Sequence, residues 1–249
     1  MRAPRIATVL LGVLMSYAGA ANAAECHDIS HAGQGYTVCR AVPAQDVLRL
    51  FLYDDAGKPW GSFRRLDAAL HKKGQRLVFA MNAGMYHPDR SPVGHYIEDG
   101  QQIMRVIKGA GPGNFGMLPN GVLCLRKGRA DVMETGHYMA VAPACTYATQ
   151  SGPMLLIDGA VHPRFLPDST SRRVRNGVGT GPDGRTAWFA ISHSPVTFYE
   201  FAEMFRDALG VQQALYLDGN ISRLFAPALG RADVGLPLGP MVGVVAPVE

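Results

Sequence analysis

Residues 197–222 read TFYEFAEMFRDALGVQQALYLDGNIS, and the succession of patterns inside them decides the fold class. Thr197 and Glu200 have the spacing of a capping box, in which a hydroxyl and a carboxylate satisfy the free N–H groups at a helix start. Phe198, Phe201, Ala202, Phe205 and Leu209 follow at helical intervals, and Gly210 supplies the stop. The apolar run 214–217 comes soon after and gives way to the polar loop Asp218-Gly219-Asn220. Helix, strand and polar loop therefore succeed one another with little between them.

Upstream, strand signals dominate. Residues 48–53 and 77–81 are compact apolar runs. Four hairpins are predicted: 96–107 turning at Glu98-Asp99-Gly100, 122–132 at Lys127-Gly128, 154–162 at Asp158-Gly159, and 174–191 at Pro182-Asp183-Gly184. These glycines supply the positive φ that tight turns need. A further helix starts at Ser62, carries Phe63, Leu66 and Leu70 on one face and stops at Gly74. Strands outnumber helices and do not alternate with them, which predicts an α+β fold: a mostly antiparallel or mixed sheet with a few packed helices. No repeat or long linker divides the 249 residues, and a single domain of this size buries a full core unaided.

The N-terminus reads as a targeting segment. Arg2 and Arg5 precede the apolar run 6–15, and Ala21-Asn22-Ala23 offers the small residues that a signal peptidase requires. The run is about half the ~20 residues needed to cross a bilayer. Glu25 before Cys26 is unsuited to lipid attachment. The expectation is a signal peptide over 1–23, cleaved near Ala23, one domain over 24–249, and a periplasmic or secreted chain without a stable membrane span. Cys26, Cys39, Cys124 and Cys145 then make an even set in an oxidising compartment. Three pairings are open, and Cys26–Cys39 with Cys124–Cys145 is favoured because each closes a short loop. The net charge of +4 includes Arg2 and Arg5, and no basic run interleaved with aromatics exists, so a nucleic-acid partner is not expected.

Familiar catalytic motifs are absent. Gly111-Pro112-Gly113-Asn114-Phe115-Gly116 has dinucleotide spacing, yet Pro119-Asn120-Gly121 follows where that motif needs a helix. There is no P-loop, no G-x-S-x-G elbow, no S-x-x-K and no H-E-x-x-H. Four polar segments at the ends of apolar runs remain: Asn82-Ala83-Gly84-Met85-Tyr86, Gln150-Ser151-Gly152-Pro153, Arg172-Arg173-Val174-Arg175-Asn176-Gly177-Val178-Gly179, and Asp218-Gly219-Asn220-Ile221-Ser222. Polar side chains beside flexible glycines at strand ends are a common way to build a site.

In order and spacing these segments resemble the phosphodiester glycosidase family over roughly residues 76–227. Asn82-Ala83-Gly84-Met85-Tyr86 matches its Asn-x-Gly-aromatic motif with Met85 in one aromatic place. Ser151-Gly152 and Arg175-Asn176-Gly177-Val178-Gly179 match two more. Leu217-Asp218-Gly219-Asn220-Ile221-Ser222 matches a final Leu-Asp-Gly-Gly-Gly-Ser, with Asn220 and Ile221 in place of two glycines. The departures put the chain nearest to exported bacterial members. The resemblance implies hydrolysis of a glycosyl-1-phosphodiester to free sugar and a phosphomonoester. The expected partner is a glycosyl phosphodiester or an envelope glycan, and the residues predict no cofactor and no metal ligand set.

Such chemistry calls for a carboxylate facing a cationic sugar and for neutralisation of phosphate charge. Asp218 suits the first task. Arg175 suits the second, because a guanidinium fork binds two oxygens at once. Asn82, Asn176 and Ser222 are expected to hydrogen-bond the substrate, Gly84 and Gly219 to aim main-chain N–H groups inward, and Ser151 to complete the pocket. Glu98, Asp158 and Asp183 fall in turns, and Asp168 is a possible site-edge acid. Two other classes compete: a non-catalytic glycan-binding module using the same pocket, and a metal-dependent phosphodiesterase that would cleave the phosphorus–oxygen bond.

Overall fold

The computed structural model describes residues 24–111, 113–218 and 221–248. The expected signal peptide over 1–23, and with it the cleavage point, lies outside the described residues, as do Gly219 and Asn220 of the polar loop. The chain opens with β1 (Glu25–His31), β2 (Gln34–Ala41), β3 (Val47–Phe51), α1 (Phe63–His71) and β4 (Gln75–Asn82). Next come β5 (Tyr96–Glu98), β6 (Gln101–Met104), β7 (Gly121–Arg126), β8 (Arg129–Glu134), α2 (Thr135–Val141) and β9 (Tyr147–Ser151). The remainder is β10 (Met154–Ile157), β11 (Ala160–Val161), β12 (Asn176–Thr180), β13 (Ala187–Ser192), α3 (Phe198–Glu203), β14 (Gln213–Asp218), β15 (Leu224–Ala226), β16 (Arg231–Ala232) and β17 (Met241–Pro247).

The strands form three sheets, in the orders β1-β2-β13-β12-β14-β10-β11, β16-β15-β4-β17-β3 and β6-β5-β9-β7-β8. Every pairing among the described residues is antiparallel. The inner faces of all three sheets meet in one core, where Phe79, Met81, Leu123, Phe189, Leu215 and Val242 are fully buried. Period-two alternation sorts the layers. In β14, Leu215 and Leu217 enter this core, whereas Ala214 and Tyr216 face a second cluster beneath α3. The outer face of β4 and β17 is covered by Phe63, Leu66 and Leu70 of α1. Among the described residues no helix is long and apolar enough to cross a membrane.

Both helices read from the sequence form where expected. Ser62 accepts from the Arg65 N–H at 3.3 Å to cap α1. Thr197 and Glu200 complete the capping box of α3, each bonding the other's backbone. The α-helix ends earlier than its apolar pattern, giving way at Met204–Ala208 to a wider π turn. Packing explains why Phe201 and Phe205 lie so close to the sheet. A Cβ on Gly177 would meet the Phe201 ring at 3.2 Å, and one on Gly179 would meet Phe205 at 2.8 Å. The two glycines of the Asn176–Gly179 segment therefore seat a helix on the sheet.

All four hairpins and both favoured disulfides are present. Cys26 and Cys39 are directly opposed on β1 and β2. The β1–β2 hairpin, α2, β9 and β17 are additions that the sequence pattern does not mark. For β9 the reason is plain: Tyr147-Ala148-Thr149-Gln150-Ser151 is too polar to read as a buried strand, yet all five residues are buried. Their polar groups are satisfied individually. Thr149 Oγ1 donates to Ala83 O at 2.6 Å, Gln150 Nε2 to Ile107 O at 2.7 Å and Ser151 Oγ to Leu217 O at 2.8 Å.

Glu98, at the end of β5, accepts the Tyr96 hydroxyl at 2.9 Å. Burial is the largest influence on its carboxyl and pushes it up to about 7, against the lowering effect of Tyr96. The fold thus prefers the neutral acid. The stability owed to Glu98 is complete below its ordinary pKa of 4.5 and disappears as pH rises through about 7. Thermal melts across this window are expected to show the wild type losing stability with rising pH relative to Glu98→Gln. Parallel curves for the two proteins would contradict the assignment.

Candidate active site

Three of the four polar segments are drawn together by strand register. Asn176 opens β12 and lies opposite Asp218, the last residue of β14. Asn82 ends β4 in the neighbouring sheet. Asn82 Nδ2 donates to Asn176 Oδ1 at 3.2 Å, and Asn176 Nδ2 returns a bond to Asn82 O at 2.9 Å. Both asparagines are fully buried. The amide oxygens also take bonds from the loop after Asp218. Ser222 Oγ reaches Asn176 Oδ1 at 3.2 Å, and the Arg223 N–H donates to Asn82 Oδ1 at 2.9 Å. Ser222 Oγ further approaches Asp218 O at 3.3 Å.

The fourth segment joins from below. Ser151 is fully buried, and its bond to Leu217 O braces the strand just before Asp218. Gly84 has φ +122°, and a Cβ there would sit 2.8 Å from Thr149 Oγ1, so the turn after β4 requires glycine. Asn82, Gly84, Ser151, Asn176, Asp218 and Ser222, all named from the sequence, are thereby linked in one region. Gly219 is outside the described residues. The two asparagines and Ser151 form the frame, and Asp218, 7% exposed, stands at its edge.

Arg175 is placed differently from the sequence expectation. Its side chain was expected on a substrate phosphate, but it is 1% exposed. Nε donates to Val196 O at 2.8 Å, Nη2 to Ser171 O at 3.0 Å and Nη1 to the Tyr216 hydroxyl at 3.3 Å. The guanidinium also stacks on Phe198, with Cζ 3.6 Å from the ring centroid. Burial depresses its pKa, opposed by Tyr216. Tyr216 connects this cation with the carboxylate. Burial raises the Tyr216 phenol, Arg175 lowers it and the charge of Asp218 raises it. The positive charge of Arg175 thus bears on the site through Tyr216.

Tyr86, the aromatic residue of the Asn-x-Gly motif, stands on the outer side with Arg90 and Arg223, two residues that sequence reasoning passed over. Burial raises the half-buried Tyr86 phenol; Asp218 raises it further, and Arg90 and Arg223 lower it. Tyr86 donates to Pro237 O at 3.1 Å, and Arg223 Nη1 donates to Leu236 O at 2.6 Å, so the 233–240 segment closes this side. Arg223 follows Ser222 directly and adjoined the quoted motif. Nothing in the sequence pattern marks Arg90. Of the other acids, Asp158 sits at φ +50° in its turn and Asp168 is exposed. The charge of Asp218 acts on both Tyr86 and Tyr216, and arginines act on the same two phenols, Arg90 and Arg223 on the first and Arg175 on the second, which suits a polar substrate carrying negative charge.

Residues 75–234 match the family model for phosphodiester glycosidase. The chain is 34% identical over 215 residues to the uncharacterized protein YigE of Escherichia coli strain K12, covering 86% of this chain and 82% of that one. The zebrafish N-acetylglucosamine-1-phosphodiester alpha-N-acetylglucosaminidase catalytic domain, auto-inhibited by its pro-peptide, superposes with a TM-score of 0.59 at 12% identity, covering 89% of this chain and 81% of that one. A Burkholderia pseudomallei K96243 protein described as exported gives 0.55 at 12% identity, covering 85% and 74%. At 12% identity these two likenesses concern the fold.

The surroundings of Arg175 generate a prediction. Arg175→Met leaves two carbonyls and a tyrosine hydroxyl without their donor and removes the stack on Phe198. Urea denaturation is expected to show a loss of about 3 kcal/mol. Unchanged stability with abolished activity would instead put the guanidinium on the substrate.

Proposed function

The chain belongs to the phosphodiester glycosidase family, and from that premise we propose that it hydrolyses glycosyl-1-phosphodiesters, with Asp218 as the carboxylate that faces the sugar. The observation that carries this reading is the convergence of Asn82, Asn176 and Ser222 on the end of β14, where Asp218 is 7% exposed.

In the proposed reaction the bond between the anomeric carbon and the phosphate oxygen breaks. The phosphate leaves with the electron pair as a monoester. It is a weak base and departs without a dedicated proton donor. Positive charge develops on the sugar, and Asp218 stabilises it and orients the incoming water, whose oxygen bonds the anomeric carbon and whose proton passes to the carboxylate and then to solvent. The asparagine frame contributes by holding this geometry before substrate arrives. Ser151 and Gly84 brace it from beneath. Arg175 contributes through Tyr216 rather than by gripping phosphate.

The same reading puts the working protein outside the cytoplasm, in the periplasm or beyond. It is supported by the leader-like residues 1–23, by two closed disulfides and by the likeness to the Burkholderia protein described as exported. The substrate is then a soluble or envelope glycosyl phosphodiester.

The decisive experiment incubates purified protein with a panel of glycosyl-1-phosphodiesters in oxygen-18 water and reads the products by NMR and mass spectrometry. Label is expected in the sugar, and Asp218→Asn is expected to reduce kcat by at least ~100-fold. Label in the phosphate, or full turnover by the variant, would refute the mechanism.

A further inference from the structure

Between Tyr86 and Pro92, which bridge each other, the chain makes a tight loop. His87 N–H donates to Ser91 O at 2.9 Å and Arg90 N–H to His87 O at 2.8 Å. The Asp89 carboxylate accepts from Ser91 N–H at 2.9 Å and Ser91 Oγ at 2.7 Å. In this self-contained turn Arg90 has φ +75°. That conformation suits glycine and is unfavourable for a side chain with a Cβ. A turn selected for its own stability would carry glycine there. An arginine held in such a position indicates that its side chain is used.

The side chain returns toward the site. Arg90 Cζ lies 5.3 Å from the Tyr86 ring centroid. Among the described residues none of its guanidinium N–H donors has a hydrogen-bond partner. Its neighbours differ in this respect: Arg175 is buried and bonded through each of its three guanidinium nitrogens, and Arg223 is tied to Leu236 O. Gly239 packs against Tyr86 so closely that a Cβ would fall 2.4 Å from the ring, which fixes the platform beneath Arg90.

We infer that Arg90 is a specificity-determining residue, whose guanidinium receives the phosphate of the substrate at the mouth beside Asp218. This deepens the glycosidase reading and rests on it. The planar fork, left open on a rigid aromatic platform, is suited to two phosphate oxygens. Substrates are then selected for an anionic group at the anomeric oxygen, and neutral glycosides are passed over.

The test measures binding, which does not depend on turnover. The full chain is titrated by calorimetry with α-glucose 1-phosphate, α-galactose 1-phosphate and N-acetyl-α-glucosamine 1-phosphate. In Arg90→Gly the tightest of these is expected to bind roughly tenfold or more weakly. Arg90→Lys is expected to fall between, because it keeps the charge and loses the fork. The wild-type affinity should decline with added salt and the Arg90→Gly affinity much less so. Glycine suits φ +75°, so the variant should melt at or above the wild-type temperature. Wild-type affinity in Arg90→Gly, no binding of any of the three by the wild type, or a large drop in melting temperature would each overturn the inference. If the wild type binds through Arg90 yet hydrolyses no phosphodiester, this inference stands and the hydrolytic proposal falls.

Discussion

The site depends on one contact between sheets, the buried pair of Asn82 and Asn176. Each amide bonds the other residue, and their two oxygens also receive Ser222 and the backbone of Arg223. Two buried amides can be tolerated at this depth only because they satisfy one another. Sliding the two sheets against each other would leave several of these groups unpaired together. The register that opposes Asn176 to Asp218 is thereby tied to the position of β4 in a different sheet. A single polar junction thus converts the packing of two sheets into the placement of one carboxylate.

Arginines around that carboxylate divide into two kinds. Arg175 is submerged beneath α3 and organises Ser171, Val196 and Tyr216. Its depth makes it part of the scaffold, since a cation with its donors engaged and its face on Phe198 has little left for a ligand. Arg90 and Arg223 instead occupy surface loops beside Tyr86. Loops on a rigid framework can vary in charge and length without disturbing the core beneath. The first kind holds elements of the fold together, and the second lies where the surface can vary.

Much of the architecture was legible because it is local. Asp-Gly and Lys-Gly pairs specify hairpins within a few residues, the Thr197–Glu200 box specifies a helix start, and nearby cysteines pair nearby. The shared region of Asn82, Ser151, Asn176 and Asp218 was legible through the family's motif order. Depth was not. An arginine bound for the interior and one bound for solvent look alike in sequence, because burial depends on which carbonyls and rings other elements bring. β9 stayed hidden for the same reason: Thr149, Gln150 and Ser151 look like loop residues until their distant partners are known. The role of Arg90 depends on a backbone angle, and the turn residues before it do not announce that an arginine will occupy the left-handed position.

The sheet borders have a consequence for the chain in crowded solution. β1, the outermost strand of the seven-stranded sheet, is pinned by Cys26–Cys39 and presents Glu25, His27 and Asp28 to water. At the opposite border β11 is only Ala160–Val161, and β16 is a similarly short margin of the second sheet. Polar or abbreviated borders give another molecule's backbone little to extend. A protein made largely of antiparallel strands is in this way guarded at these margins against fibrous self-association.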